Sequence, residues 1–314
     1  MQRSASLAIA VGLLLAGCAG SPGQYRALVD SQQTQPRASE ITQAPFFPQE
    51  AYQCGPAALA TLMVHIGEDT SPEELSPRVY LPERRGSLQA ELLGASRRQG
   101  LVAYVHEPYL ADLLEEVGAG NPVLVLQNLG LNRIPVWHYA VLIGYDLDAG
   151  EIILRSGTER REVMSLRHFE RTWRLAEHWA LTVHHPGDLP ATARPQRFLE
   201  AVAALERLPD HGAAGAGYSA ALKRWPEAVA AWIGLGNVRY AEGRYAAAEE
   251  AYRGAVNADP GHPAAHHNLA WALIRQDRPE EAFAAAERAA RLAAPEQEHY
   301  FTALEALRQT EQER

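Results

Sequence analysis

Between residues 195 and 314 the chain repeats itself every 34 residues, and a fixed period of that length marks an array of like units stacked on one another. Trp232, Leu235, Ala248, Tyr252, Ala255 and Pro260 recur one period later as His266, Leu269, Ala282, Ala286, Ala289 and Ala294. One period earlier the same positions hold Phe198, Ala201, Ala214, Tyr218, Ala221 and Pro226. Small residues at fixed offsets let two helices approach closely, and a proline between units breaks the chain. A single unit of this size cannot bury its own apolar face, so the units must stack.

The landmarks Trp232, Leu235, Gly236, Ala248, Tyr252 and Pro260 resemble the tetratricopeptide repeat. The resemblance implies an all-α solenoid over residues 197–314, with two to three repeats and a capping helix from Glu296. It also implies a concave groove for a protein partner. No catalytic constellation lies in this half. Residues 187–196, rich in proline, read as a linker.

At the other end, Arg3 precedes an apolar run from Leu7 to Leu15, closed by Leu15-Ala16-Gly17-Cys18. One positive charge, a short apolar core and small residues describe a secretory leader over residues 1–17, too short to span a bilayer. The Leu-Ala-Gly-Cys ending resembles the bacterial lipoprotein box. It implies cleavage before Cys18, lipidation of its sulfur, and attachment to the membrane by that lipid only. Ala19 is not the aspartate that in Gram-negative lipoproteins usually holds the product at the inner membrane. The expected location is therefore the outer membrane, facing the periplasm. Residues 18–44, rich in Ser, Gln, Pro and Thr, read as a flexible tether.

The chain has 29 basic and 38 acidic residues, a formal charge of −9, and loses Arg3 with the leader to reach −10. An acidic body excludes nucleic acid as the expected partner.

Only two cysteines exist, and the leader accounts for Cys18. Cys54 therefore has no disulfide partner in the mature chain, in a compartment kept oxidising. It opens the run Cys54-Gly55-Pro56-Ala57-Ala58-Leu59. That run reads as the first turn of a buried helix to His65, because proline suits a helix start. A thiol at a helix N-terminus meets free N–H groups and the positive end of the dipole, both of which favour the thiolate.

Beyond it the sequence predicts a helix near 86–99, with Ser87 as cap, and a strand at 101–106. A helix at 109–117, a strand at 123–127, a strand pair at 138–145 and 151–155, and a last strand at 179–184 follow. Glu73-Glu74 and Glu83-Arg84-Arg85 read as solvated charges near loops. His184-His185 does not read as a metal site, since neighbours on a strand face opposite ways. No cofactor is called for.

His138 opens an otherwise apolar strand, Trp137-His138-Tyr139-Ala140-Val141-Leu142-Ile143. A base for a cysteine nucleophile comes from a different element, so the 84 residues between Cys54 and His138 are no obstacle. Residues Gln49–Met63 together with Trp137–Asp146 resemble the papain-like cysteine peptidases that process bacteriocin leaders at a double glycine.

The resemblance implies an α+β papain-like peptidase domain over residues 45–186 acting on a protein or peptide substrate. It also implies Cys54 as nucleophile, His138 as general base and acid, and Gln49 with the Cys54 N–H as oxyanion donors. The family usually places an aspartate after the next strand to orient the histidine. Here that strand reads Glu151-Ile152-Ile153-Leu154-Arg155-Ser156-Gly157, with Arg or Ser at that point. Candidates for the orienting group are Ser156, Asn128 and Asp146. Without a carboxylate there, a catalytically inactive domain that grips a peptide and assembles partners is the alternative.

Overall fold

The computed structural model describes residues 23–30, 36–48, 53–84, 86–294 and 297–312. Cys18 and Gln49 lie outside the described residues.

The N-terminal half is α+β. It contains α1 (Gly23–Asp30), β1 (Ala38–Glu40), α2 (Cys54–His65), α3 (Pro72–Val79), the short hairpin β2 (Tyr80–Leu81) and β3 (Gly86–Ser87), and α4 (Gln89–Arg98). Then come β4 (Val102–Val105), α5 (Leu110–Gly118), β5 (Val123–Asn128), β6 (Trp137–Asp146), β7 (Glu151–Ser156), β8 (Glu159–Ser165), α6 (Leu166–Arg174) and β9 (Ala180–His184). Among the described residues, a seven-stranded antiparallel sheet runs β4-β9-β5-β6-β7-β8, with β1 added to β6.

The helix predicted to start at Gly55 is α2, and it is apolar on nearly every side. Ala57 through Met63 are all buried, so α2 is a central helix packed against β6 and the sheet. Ser87 does not cap the next helix. It belongs to β3, and Leu88 occupies the N-cap position of α4. Glu73 and Glu74, read as solvated charges near loops, form the first turn of α3. Ser71 caps that turn, accepting from the Glu74 N–H.

The tether expected over residues 18–44 is not loose where it is described. Both Glu170 carboxylate oxygens accept from the N–H groups of Gln24 and Tyr25 at the start of α1. Gln24 also donates to the Pro108 carbonyl and accepts from Leu110 N–H. Leu28 is buried in the main core, and β1 extends the sheet. A polar composition hid these anchors because each works through one side chain or one main-chain group.

The C-terminal half is helical: α7 (Pro195–Ala203), α8 (Gly212–Arg224), α9 (Val229–Ala241), α10 (Tyr245–Ala258), α11 (Pro263–Ile274), α12 (Pro279–Leu292) and α13 (Thr302–Gln312). The helices α7, α9 and α11 begin 34 residues apart, as the period requires. Tyr218 and Tyr252, one period apart, press on Gly234 and Gly236 of α9, where a Cβ would overlap the rings.

The two halves share a core. Val102 and Tyr104 of β4 pack with Phe198, Val202 and Leu205 of the first helical unit. The segment between the halves is fastened from below by Glu116, buried on α5. Its carboxylate accepts from the N–H groups of Ala191 and Thr192, the Thr192 hydroxyl and the Asn121 amide. His106 and His184, both buried, share the Thr182 hydroxyl beside this clamp.

Candidate active site

Cys54 is the first residue of α2, preceded by Gln53 at the N-cap with no side-chain cap. The helix therefore presents its first N–H groups uncapped beside the thiol. Burial pushes the thiol above its ordinary value. The main-chain N–H groups of Tyr139, Gly55 and Cys54 itself, near the sulfur, favour the thiolate and pull it back in part. The Tyr139 contact locates the sulfur at the residue next to His138, where β6 begins. Gly55 is required at the second helical position. A Cβ there would overlap the Ser87 side chain, which the β2–β3 hairpin lays across the helix start. Tyr139 secures the same hairpin by donating its hydroxyl to the Ser87 carbonyl at 3.3 Å.

His138 is half-buried near the start of β6, between exposed Trp137 and buried Tyr139. Its Nε2 lies 2.9 Å from Ser156 Oγ at the end of β7. With Ser156 accepting from Nε2–H, the ring is held in the tautomer whose Nδ1 carries a lone pair. Burial lowers the imidazole's basicity, and the Glu162 carboxylate raises it again in part.

The three candidate orienting groups separate in the structure. Ser156 reaches the imidazole. Asn128 ends β5, and its Oδ1 accepts from the N–H groups of Gly130 and Val136, closing the loop before β6. Asp146 folds onto the β6–β7 turn, accepting from the N–H groups of Asp148 and Ala149. Neither side chain is directed at His138, because each satisfies main-chain donors of its own loop. Arg155 turns to the opposite side of β7 from Ser156, donating to the carbonyls of Ala44, Thr42 and Arg160. It does not stand at the imidazole.

Three residues around this centre were not foreseen from the sequence. Ser87 and Tyr139 brace the start of α2, and Glu162 lies on β8, a strand absent from the sequence-level assignment. His184 and His185 are engaged by the Thr182 hydroxyl and the Ile66 carbonyl respectively.

Residues 41–180 match the model of the Peptidase_C39 like family, and residues 204–263 and 239–307 match models of the tetratricopeptide repeat. The chain thus carries a C39-like peptidase domain followed by tetratricopeptide repeats. No curated protein matches the chain. Among solved structures, it is similar to a putative C39-like peptidase from Bacillus anthracis, with 16% identity over 47% of this chain and 96% of that chain, TM-score 0.40. The peptidase domain of Streptococcus ComA, a bifunctional ABC transporter involved in quorum sensing, is 20% identical over 45% of this chain and 98% of that chain, TM-score 0.37. The Yersinia enterocolitica type III secretion chaperone SycD, in complex with a peptide of the translocator YopD, is 20% identical over 37% of this chain and 93% of that chain, TM-score 0.35.

Proposed function

We propose that the protein is a lipid-anchored cysteine peptidase of the periplasm, acting on a protein or peptide that its repeats help to recruit. The observation that carries this reading is the Cys54 sulfur at the uncapped start of α2, against the N–H of the residue that follows His138. Burial favours the neutral thiol and the neutral imidazole. The proton therefore moves as the bond forms, rather than resting as a preformed ion pair.

In this mechanism His138 Nδ1 takes the Cys54 proton while the sulfur attacks the scissile carbonyl carbon. The oxyanion is held by the Cys54 N–H and by Gln49. The imidazolium then gives its proton to the leaving amine as the C–N bond breaks, leaving a thioester. Water, deprotonated by His138, releases the acid and frees the thiol. Ser156 keeps the imidazole in the tautomer that accepts from sulfur.

The lipid at Cys18 and the outer-membrane location belong to this proposal and rest on the Leu-Ala-Gly-Cys leader. The alternative, an inactive peptide-gripping assembly protein, draws on the absence of an aspartate at the end of β7. Comparing periplasmic peptides from wild-type and Cys54→Ala cells tests the two. Peptides that disappear in the variant, with their precursors accumulating, support the peptidase. Identical peptide sets with an unchanged phenotype sink it.

A further inference from the structure

We propose that Glu162 is a positioning residue for His138, its carboxylate facing the same side of the sheet as Ser156 and supporting the imidazole from behind that hydroxyl. This rests on the peptidase reading of the Cys54–His138 centre and supplies the acidic group that the end of β7 lacks.

Strand register carries the inference. Along β8, Glu162 and Met164 face inward while Arg161, Val163 and Ser165 are exposed. Glu162 pairs across the ladder with Leu154, two residues before Ser156 on the same face of β7, and a bulge separates that pair from the pair of Ser156 with Glu159. Ser156 reaches His138 on β6, the next strand over. One face of three neighbouring strands thus presents an imidazole, a hydroxyl and a carboxylate in series.

The Glu162 side chain makes no hydrogen bond or ion pair among the described residues, although arginines flank it. Arg161 is bound to Glu40 in a two-pronged pair, and Arg155 is spent on carbonyls. A carboxylate on the inward face of a strand with no partner of its own suits a nearby group that becomes cationic during turnover. Glu162 is also the charge that raises the basicity of His138 against burial. The other groups on the strands beside the imidazole are the Ser156 hydroxyl on β7 and, across the ladder on β5, the neutral Gln127, and no charge besides Glu162 acts on it. Glu159 pairs directly with Ser156 but is exposed and is not among the charges acting on His138.

An inward charge on an edge strand also discourages pairing with other chains, and that role alone would leave His138 unaffected. The test is therefore the titration of the His138 imidazole by NMR, together with the iodoacetamide rate of Cys54 at pH 7, in the full chain. Glu162→Gln should move the His138 midpoint down and slow alkylation by roughly twofold to fivefold, whereas Glu159→Gln should do neither. In a Ser156→Asp background, which puts a carboxylate directly on Nε2, the further change Glu162→Gln should cost little. An unshifted His138 midpoint in Glu162→Gln overturns the proposal. So does an equal loss in the Ser156→Asp background, which would mark a purely structural residue. If Ser156→Asp does not fold, the Glu162→Gln titration decides alone. Should His138→Ala leave alkylation unchanged, the peptidase reading fails instead, while the titration still reports on Glu162.

Discussion

The Nε2 atom of His138 and the Oγ of Ser156 lie 2.9 Å apart, joining the start of β6 to the end of β7. A hydroxyl fixes a tautomer but brings no charge, so it supplies alignment without the electrostatic support of a carboxylate. Ser156→Ala should slow Cys54 alkylation at pH 7 by roughly tenfold without changing the melting temperature by more than about 2 °C. Ser156→Asp should at least match wild type. Stopped-flow alkylation and a thermal melt check both.

Burial pushes the Cys54 thiol up and the His138 imidazole down, so the resting pair is neutral near pH 7. Wild-type alkylation should level off above the imidazole's titration, which lies below its ordinary value. The His138→Ala variant should lose that plateau and react appreciably only above the ordinary thiol range. A rate–pH profile of both proteins with iodoacetamide gives the comparison, and superimposable curves would rule out activation by His138.

The junction between the halves should weaken in acid. Burial lowers the values of His106 and His184 to about 4, while Glu116 beside them stays below the usual carboxylate range because His106, Thr192 and Asn121 outweigh its burial. Above about pH 6.5 both imidazoles are neutral whether the chain is folded or not, and they cost nothing. Between there and about 4 the unfolded chain binds protons that the folded chain refuses, so stability falls as pH falls through that window. The melting temperature should drop by about 5 °C or more across it, and His184→Gln should shrink the drop. Differential scanning fluorimetry at half-unit pH steps measures this.

Within the repeats, the Tyr252 ring occupies the space above Gly236. Gly236→Ala should cost about 2 kcal/mol through overpacking despite the better helix propensity of alanine. Paired with Tyr252→Leu, the same change should cost much less, a coupling that a double-mutant cycle in urea reads directly.

Much of the architecture is legible in the sequence because it rests on strong periodicities. The 34-residue spacing gives α9 through α12, and the apolar runs give α2, β5 and β6. The strand β8 is not legible. Its residues Glu159-Arg160-Arg161-Glu162 show no apolar alternation, since an edge strand buries only one face and here Glu162 takes one of the inward positions. Register is likewise invisible in one dimension. Ser156, Asn128 and Asp146 are all candidates in one dimension, and the hydrogen bonds of the folded chain separate them. Docking of α1 depended on Gln24 and Glu170, 146 residues apart, which no local pattern connects.

Val102 and Tyr104 of β4 cover the apolar side of the first repeat helix. A solenoid needs its end units sealed from water, and here the peptidase sheet seals one end while α13 packs on α12 at the other. Lengthening of the array is thus polarised: new units can be spliced in toward α13, where, among the described residues, helix packs on helix. An insertion before α7 would have to re-create a sheet-facing surface. Over evolutionary time the reach of this arm can change while its shoulder stays fixed.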